Sequence, residues 1–185
     1  GSKATAADLA WMRSQALDAA VVAHANAGKR VLGICGGLQI LGEALIDLHG
    51  VDGNAAGLGL LPLATLFAAE KTVQPTSIEL PALQAPWQAL SGVRVRGYEI
   101  HHGQTELRAD MQARTANPAR ELLPGMLWQG GQPAVIGSYL HGLFENEAVI
   151  HALFGQAAPS LEQVFARLAQ GVTQWFGPQS SQQQT

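Results

Sequence analysis

The chain's single cysteine lies in Gly33-Ile34-Cys35-Gly36-Gly37, flanked by glycines on both sides. An apolar run precedes this pentapeptide and a helix-period stretch follows it. In a G-x-nucleophile-x-G turn of this kind the glycines allow a sharp reversal. The nucleophile is held in a strained conformation, with no neighbouring side chain in its way. Cys35 would then sit at a helix N-terminus, where free N–H groups and the helix dipole favour thiolate over thiol, and the Gly36 N–H would face a developing oxyanion. Free cysteine is also a common core residue. The flanking glycines, with a strand before and a helix after, favour the nucleophile.

A thiol nucleophile needs a proton acceptor and donor, normally a histidine within hydrogen-bond reach. The sequence offers six histidines. His141 directly follows the apolar run at residues 134–140 and precedes Gly142, so it would project from the same sheet edge as Cys35. His101 and His102 end another strand and compete with it; strand-end position alone prefers His141. His24 and His151 read as solvated or packed helix residues, and His49 as a cation near a helix C-terminus.

These side chains need a scaffold. Apolar positions Leu9, Met12, Ala16 and Ala20 recur at helical spacing as far as Gly28, predicting one N-terminal helix of about six turns. Thr5 with Asp8 resembles a capping box at its start. Val31-Leu32-Gly33-Ile34-Cys35 fits a strand buried on both faces. Leu38, Ile40, Leu41, Ala44, Leu45 and Leu48 return to helical period and run out at Gly50. Helix, buried strand, glycine turn and helix in succession predict an α/β fold with a mostly parallel sheet. Residues 52–63 read as a loop, and Pro75, Pro81 and Pro86 mark a second irregular stretch. Val93 and Val95 alternate with Arg94 and Arg96 in a half-exposed strand. Asn117-Pro118 and Pro124-Gly125 are turn signals, and helices are predicted at about 146–154 and 159–176. Residues 1–176 form the predicted domain, and the Gln- and Ser-rich residues 177–185 a disordered tail.

Composition narrows the function classes. The 185 residues are 47% hydrophobic and 14% charged, with a formal charge of −3. A chain of this size buries roughly 70% of its unfolded surface, enough for a core without staples. One cysteine makes no intrachain disulfide and excludes Cys2His2-type zinc sites, which fits a reducing cytoplasm. No basic stripe is present to neutralise a run of phosphates, so nucleic acid is not expected as a partner. No apolar stretch approaches ~18 residues, so no membrane span is expected. No metal site is expected either.

Gly33 to Gly42 (Gly-Ile-Cys-Gly-Gly-Leu-Gln-Ile-Leu-Gly), Gly57-Leu58-Gly59-Leu60-Leu61-Pro62, Gly97-Tyr98-Glu99-Ile100-His101-His102-Gly103 and Gly137-Ser138-Tyr139-Leu140-His141-Gly142-Leu143-Phe144 occur in this order. Together they resemble the glutamine amidotransferase domain of the cobyric acid synthase family, a cobalamin-type class I group. Gly1 to Thr5 with Asp8 to Trp11 resembles the segment just upstream of those motifs. The resemblance implies a flavodoxin-like sandwich with helices on both sheet faces and with the family's N-terminal strands missing. Those absent strands would leave an exposed sheet edge.

It also implies roles for the residues. Cys35 would attack the side-chain amide of glutamine to form a thioester, and His141 would move the protons. Gly36 and Gly1 would donate to the oxyanion, although an expression-tag remnant of Gly-Ser would carry the same first two residues. Gln39, Tyr98, Glu99 and His101 would bind substrate, although strand alternation puts Glu99 and His101 on one face and Tyr98 and His102 on the other. No cofactor is implied for this domain. The resemblance further implies an ATP-dependent ligase domain, absent here, that holds ATP and magnesium and uses the ammonia to amidate adenosylcobyrinic acid a,c-diamide in cobalamin biosynthesis. The rival readings are the amidotransferase domain of cobyrinic acid a,c-diamide synthase, a non-catalytic scaffold that docks a ligase, and a stand-alone cysteine hydrolase. Many class I members carry a glutamate two residues after the histidine. Leu143 stands there in this chain, with Glu145 nearby.

Overall fold

The computed structural model describes residues 2, 4–113, 118–130, 132–156, 159 and 161–176. The tail predicted at 177–185, Gly1 and Asn117 lie outside the described residues.

The N-terminal helical segment is two helices, α1 (Thr5–Ser14) and α2 (Leu17–Asn26). They part at Ala16, whose φ of 55° is left-handed. An alanine there costs roughly 1 kcal/mol or more, and apolar periodicity carries no sign of it. The capping-box reading of Thr5 also gives way. The Thr5 and Ala6 N–H groups donate to the Asp52 carboxylate, each at 2.8 Å. Ser2, not Thr5, holds Asp8, and the Ser2 hydroxyl accepts from the Ala4 N–H at 3.0 Å.

β1 (Val31–Ile34) leads through Cys35 into α3 (Gly36–Leu41). The predicted helix stops there, and residues read as its second half form β2 (Ala44–Asp47). An apolar series this short satisfies either period. Parallel pairing with β4 (Leu63–Glu79) decides it, with Leu45 opposite Thr65 and Asp47 opposite Phe67. β3 (Ala55–Ala56) adds a short antiparallel neighbour. β4 also runs through Pro75, where irregular chain was expected. Pro75 lies beyond the stretch paired with β2, so on that side no ladder N–H is required of it.

β5 (Arg94–Leu107) pairs antiparallel with β4, after which come the single turn α4 (Ala109–Gln112), β6 (Arg120–Leu123), β7 (Leu127–Gly130), β8 (Gln132–Ser138) and β9 (Leu140–His141). Helices α5 (Glu147–Phe154) and α6 (Leu161–Phe176) close the described chain. Two sheets result, ordered β1-β8-β7-β6 and β3-β2-β4-β5-β9. The α/β class holds. Parallel pairing is found at β1–β8 and β2–β4, and the other pairs are antiparallel. Among the described residues β1 ends its sheet, with β8 as its one partner.

The β1-containing sheet is covered on both faces, as its apolar runs require. Val135 and Trp128 enter a cluster with Leu38, Leu41 and Leu61, whereas their neighbours Ile136 and Leu127 enter another with Leu83, Trp87 and Val149. Leu38 is fully buried, and a Cβ on Gly137 would come within 2.2 Å of its Cδ1, so α3 lies tight on β8. Leu38→Ala is expected to cost ~2–5 kcal/mol of stability, read as a lowered denaturant midpoint. In contrast, α6 leaves Phe165, Leu168, Val172 and Trp175 exposed along one side. No described helix is long and apolar enough to cross a membrane.

Candidate active site

Cys35 occupies the turn between β1 and α3 with φ 54° and ψ −112°, a conformation rare for a residue with a side chain. Its N–H donates to the Ser138 carbonyl at 2.8 Å, tying the turn to the end of β8. Two of the glycines around it, Gly33 and Gly36, are required by packing, whereas Gly37 has open space beside it. A Cβ on Gly33 would meet the Gly37 carbonyl carbon and oxygen at 2.7 Å. A Cβ on Gly36 would meet Ser2 Cβ at 2.8 Å and Thr5 Oγ1 at 3.2 Å, so the segment at Ser2 closes over the turn.

The thiol opens into a cavity of about 610 Å³, within the range of small-molecule sites. Gln39, His101, His102 and His141 share its wall with Cys35, and Asp52 and Lys71 bring its charges. The Cys35 Sγ donates to the Ile100 carbonyl at 3.5 Å. Burial pushes the thiol above its ordinary range, opposed by the Gly36 N–H and by Lys71. Burial likewise pushes the His141 imidazole down, and the Ile100 carbonyl pulls it back up. Both shifts favour thiol and neutral imidazole over the charged pair. The thiolate expected from the helix N-terminus loses to desolvation, since α3 is only six residues long. The alkylation rate of Cys35 by iodoacetamide should consequently keep rising with pH beyond the usual thiol value of about 8.5. A plateau already reached at pH 7 would contradict this.

The three cavity histidines differ in how far their rings are engaged. His101 Nδ1 lies 2.7 Å from the Gly103 carbonyl, its Nε2 is 3.6 Å from Glu99 Oε2, and its ring stacks on Tyr139 at 3.7 Å. His102 Nδ1 is 3.2 Å from the Ala68 carbonyl. Among the described residues both His141 Nε2 and His101 Nε2 are buried without a hydrogen-bond partner, but only His101 Nε2 has a carboxylate near it. Strand alternation alone does not bring His101 and His102 to one cavity. The β4–β5 register shifts between Phe67 and Thr72, opposite His102, and the bulge turns that residue inward beside Lys71.

Gln39 is buried, its Oε1 accepting from Thr5 Oγ1 at 2.9 Å and its Nε2 donating to Tyr139 Oη at 3.2 Å. Tyr139 Oη is 2.6 Å from Thr105 Oγ1, which is 2.7 Å from Thr65 Oγ1. Burial holds the Tyr139 phenol protonated, its pKa pushed up to about 12. A Cβ on Gly103 would strike Gln39 Nε2 at 2.3 Å and Tyr139 Oη at 2.8 Å, so any other residue there would force the network to shift.

Tyr98 and Glu99, expected against substrate, are not among the residues that line the cavity. Glu99 is buried and accepts from Gln74 Nε2 at 2.7 Å and Thr76 Oγ1 at 3.0 Å. Tyr98 stacks on His141. Leu143 is packed in the core with Leu140 and Val149, where a carboxylate would be desolvated. Glu145 lies over Gly142, and among the described residues no ion pair joins it to His141.

Sequence reasoning missed Thr5, Phe67, Lys71 and Asp52 as cavity residues. The Asp52 loop is built around Asp47, whose carboxylate accepts the Asp52 and His49 N–H groups at 2.8 and 3.0 Å and is held down to a pKa of about 2 by them, that of Asp52 above all. A cluster of Asp47, Asp52 and Asn54 was the available signal. No described group of three or more His, Cys, Asp or Glu residues is arranged to hold a metal.

Known proteins resemble this sequence. The family profile of the CobB/CobQ-like glutamine amidotransferase domain matches residues 1–149. Cobyric acid synthase of Acidovorax sp. (strain JS42) is 60% identical over 180 residues, covering 97% of this chain and 36% of that protein. The cobyric acid synthases of Acidovorax ebreus (strain TPSY), 61% identical, and Paracidovorax citrulli (strain AAC00-1), 60% identical, each cover 96% of this chain and are themselves covered over 36%. The chain thus spans about a third of the length of these relatives. With a family profile covering most of its length, the chain belongs to the CobB/CobQ-like glutamine amidotransferase domain family.

Proposed function

We propose that this chain hydrolyses glutamine and delivers the ammonia to the ligase portion of a cobyric acid synthase. One observation carries the reading: a cysteine at positive φ in a strand-to-helix turn, its thiol opening into a cavity shared with a histidine whose Nε2 is unpartnered. The thiol lies against the Ile100 carbonyl, and both Ile100 and His141 line the cavity. Glutamine enters with its side-chain amide over Cys35. The zwitterionic end of the amino acid meets opposite charges on Asp52 and Lys71, with Gln39 holding the wall between them.

His141 takes the thiol proton as sulfur attacks the amide carbon. The oxyanion forms at the Gly36 N–H, and Gly1 is the expected second donor. The imidazolium returns its proton to the leaving nitrogen, which departs as ammonia and leaves a γ-glutamyl thioester. Water, deprotonated by His141, attacks the thioester; glutamate leaves and the thiol is restored. Burial keeps the imidazole neutral and so available as acceptor, but it makes the thiol a weaker acid and the imidazole a weaker base, so the proton moves as the bond from sulfur to carbon forms and not before. ATP and magnesium belong to the ligase portion, which would amidate adenosylcobyrinic acid a,c-diamide in the cytoplasm.

A chloroketone analogue of glutamine tests the reading in the protein with its ligase portion present. Stoichiometric labelling at Cys35, blocked by glutamine, is expected. Absence of label would favour a docking scaffold without catalysis. Labelling with glutamine hydrolysis but no amidation of the a,c-diamide would move the assignment to another ligase partner.

A further inference from the structure

Among the described residues no carboxylate forms an ion pair with His141 to orient it, yet its ring must meet a thiol across the cavity. The Leu143 position is core, and the described ion pairs do not include His141. β9 is two residues long and is followed by Gly142 at φ 76°, so little backbone structure restrains the imidazole. What the ring does touch is Tyr98. The two residues are directly opposite in the β5–β9 pair, and their rings are parallel, with centroids 5.1 Å apart and planes within 5°. The neighbouring residue makes this approach possible, since a Cβ on Gly97 would fall 2.0 Å from the His141 carbonyl oxygen.

We propose that Tyr98 is the positioning residue for His141, its ring face setting the plane of the imidazole. A stack fixes the ring plane without consuming a ring nitrogen. Nε2 is left free for proton transfer, consistent with its having no partner in the structure. An aromatic face at this distance contributes through dispersion and quadrupole, so the six-membered ring is what matters and not the hydroxyl. The strand places Tyr98 half-exposed outside the cavity wall, away from bound glutamine, so its contribution is to turnover and not to affinity.

This rests on the glutaminase reading, and the experiment separates the two. Glutamine hydrolysis is measured in the protein with its ligase portion for wild type, His141→Ala, Tyr98→Leu and Tyr98→Phe, with the imidazole resonances of His141 recorded by NMR. Tyr98→Leu is expected to lower kcat about 10- to 100-fold, the cost of a misaligned catalytic group, with KM within about twofold. Tyr98→Phe is expected to restore most of the turnover. In Tyr98→Leu the ring-current shift of the His141 carbon protons should disappear.

The proposal is overturned if Tyr98→Leu raises KM with kcat unchanged, which would make Tyr98 a substrate contact, or if both parameters stay at wild type. It is overturned as well if Tyr98→Phe is as slow as Tyr98→Leu, or if the His141 shifts are the same in wild type and Tyr98→Leu. Full turnover in His141→Ala would instead overturn the glutaminase assignment of His141.

Discussion

Replacing Cys35 with alanine is expected to abolish glutamine-dependent amidation while leaving amidation from added ammonium salts intact. Loss of a covalent nucleophile removes the thioester route altogether, and a fall of about 10⁴-fold or more in glutamine hydrolysis is the scale to anticipate. The fold should survive, because the strained turn is held by the Cys35 N–H to Ser138 bond and by glycine packing, neither of which needs sulfur. Steady-state assays with glutamine and with ammonium as alternative nitrogen donors give the answer. Retained glutamine use in the alanine variant would mean that the nucleophile lies elsewhere. Loss of both activities would mean that the turn supports the ligase structurally.

Gly97→Ala is expected to have the next largest effect, although residue 97 reaches no reacting atom. Its new Cβ would lie 2.0 Å from the His141 carbonyl and 2.9 Å from Leu140 Cδ1. The first of these neighbours is backbone, so rotating a side chain cannot relieve the clash, and β9 must move away from β5. A displacement near 1 Å at His141 would cost roughly 10²-fold in turnover. Overpacking at this site should also remove ~1–3 kcal/mol of stability. Glutaminase kinetics and a denaturation curve on the same preparation check both. Wild-type kinetics would mean that the β5–β9 pair does not position His141.

The contrast between these two substitutions shows which parts of the site were legible in the sequence. The Cys35 turn was readable because every requirement for it lies within a few residues: an apolar strand, glycines where the backbone closes on itself, and a helix start. The same local logic found β1, β8, α5, α6 and the Pro124-Gly125 turn. It failed at residues 44–47, where apolar spacing fits a helix or a strand and the neighbouring β4 made the choice. It failed again at Ala16, because periodicity does not register a single left-handed residue.

Non-local relations were beyond local patterns. The bulge between Phe67 and Thr72 brings His102 and Lys71 into the cavity, and nothing in the residues that form it announces a shift of register. Asp52 reaches α1 across 46 and 47 positions of chain, so its part in closing the site appears only once loop and helix are packed together.

By itself, then, the sequence determined the turn that holds the candidate nucleophile, the strand-end histidines from which its proposed partner is drawn, and the α/β class, because strand, turn and helix propensities act over a few residues. The tertiary structure alone decided which residues stand behind the strand-end histidines, that His102 joins His101 and His141 at one cavity, and that burial opposes charge on the thiol and the imidazole. Those properties follow from strand register and from burial, and both depend on contacts between residues far apart in the chain.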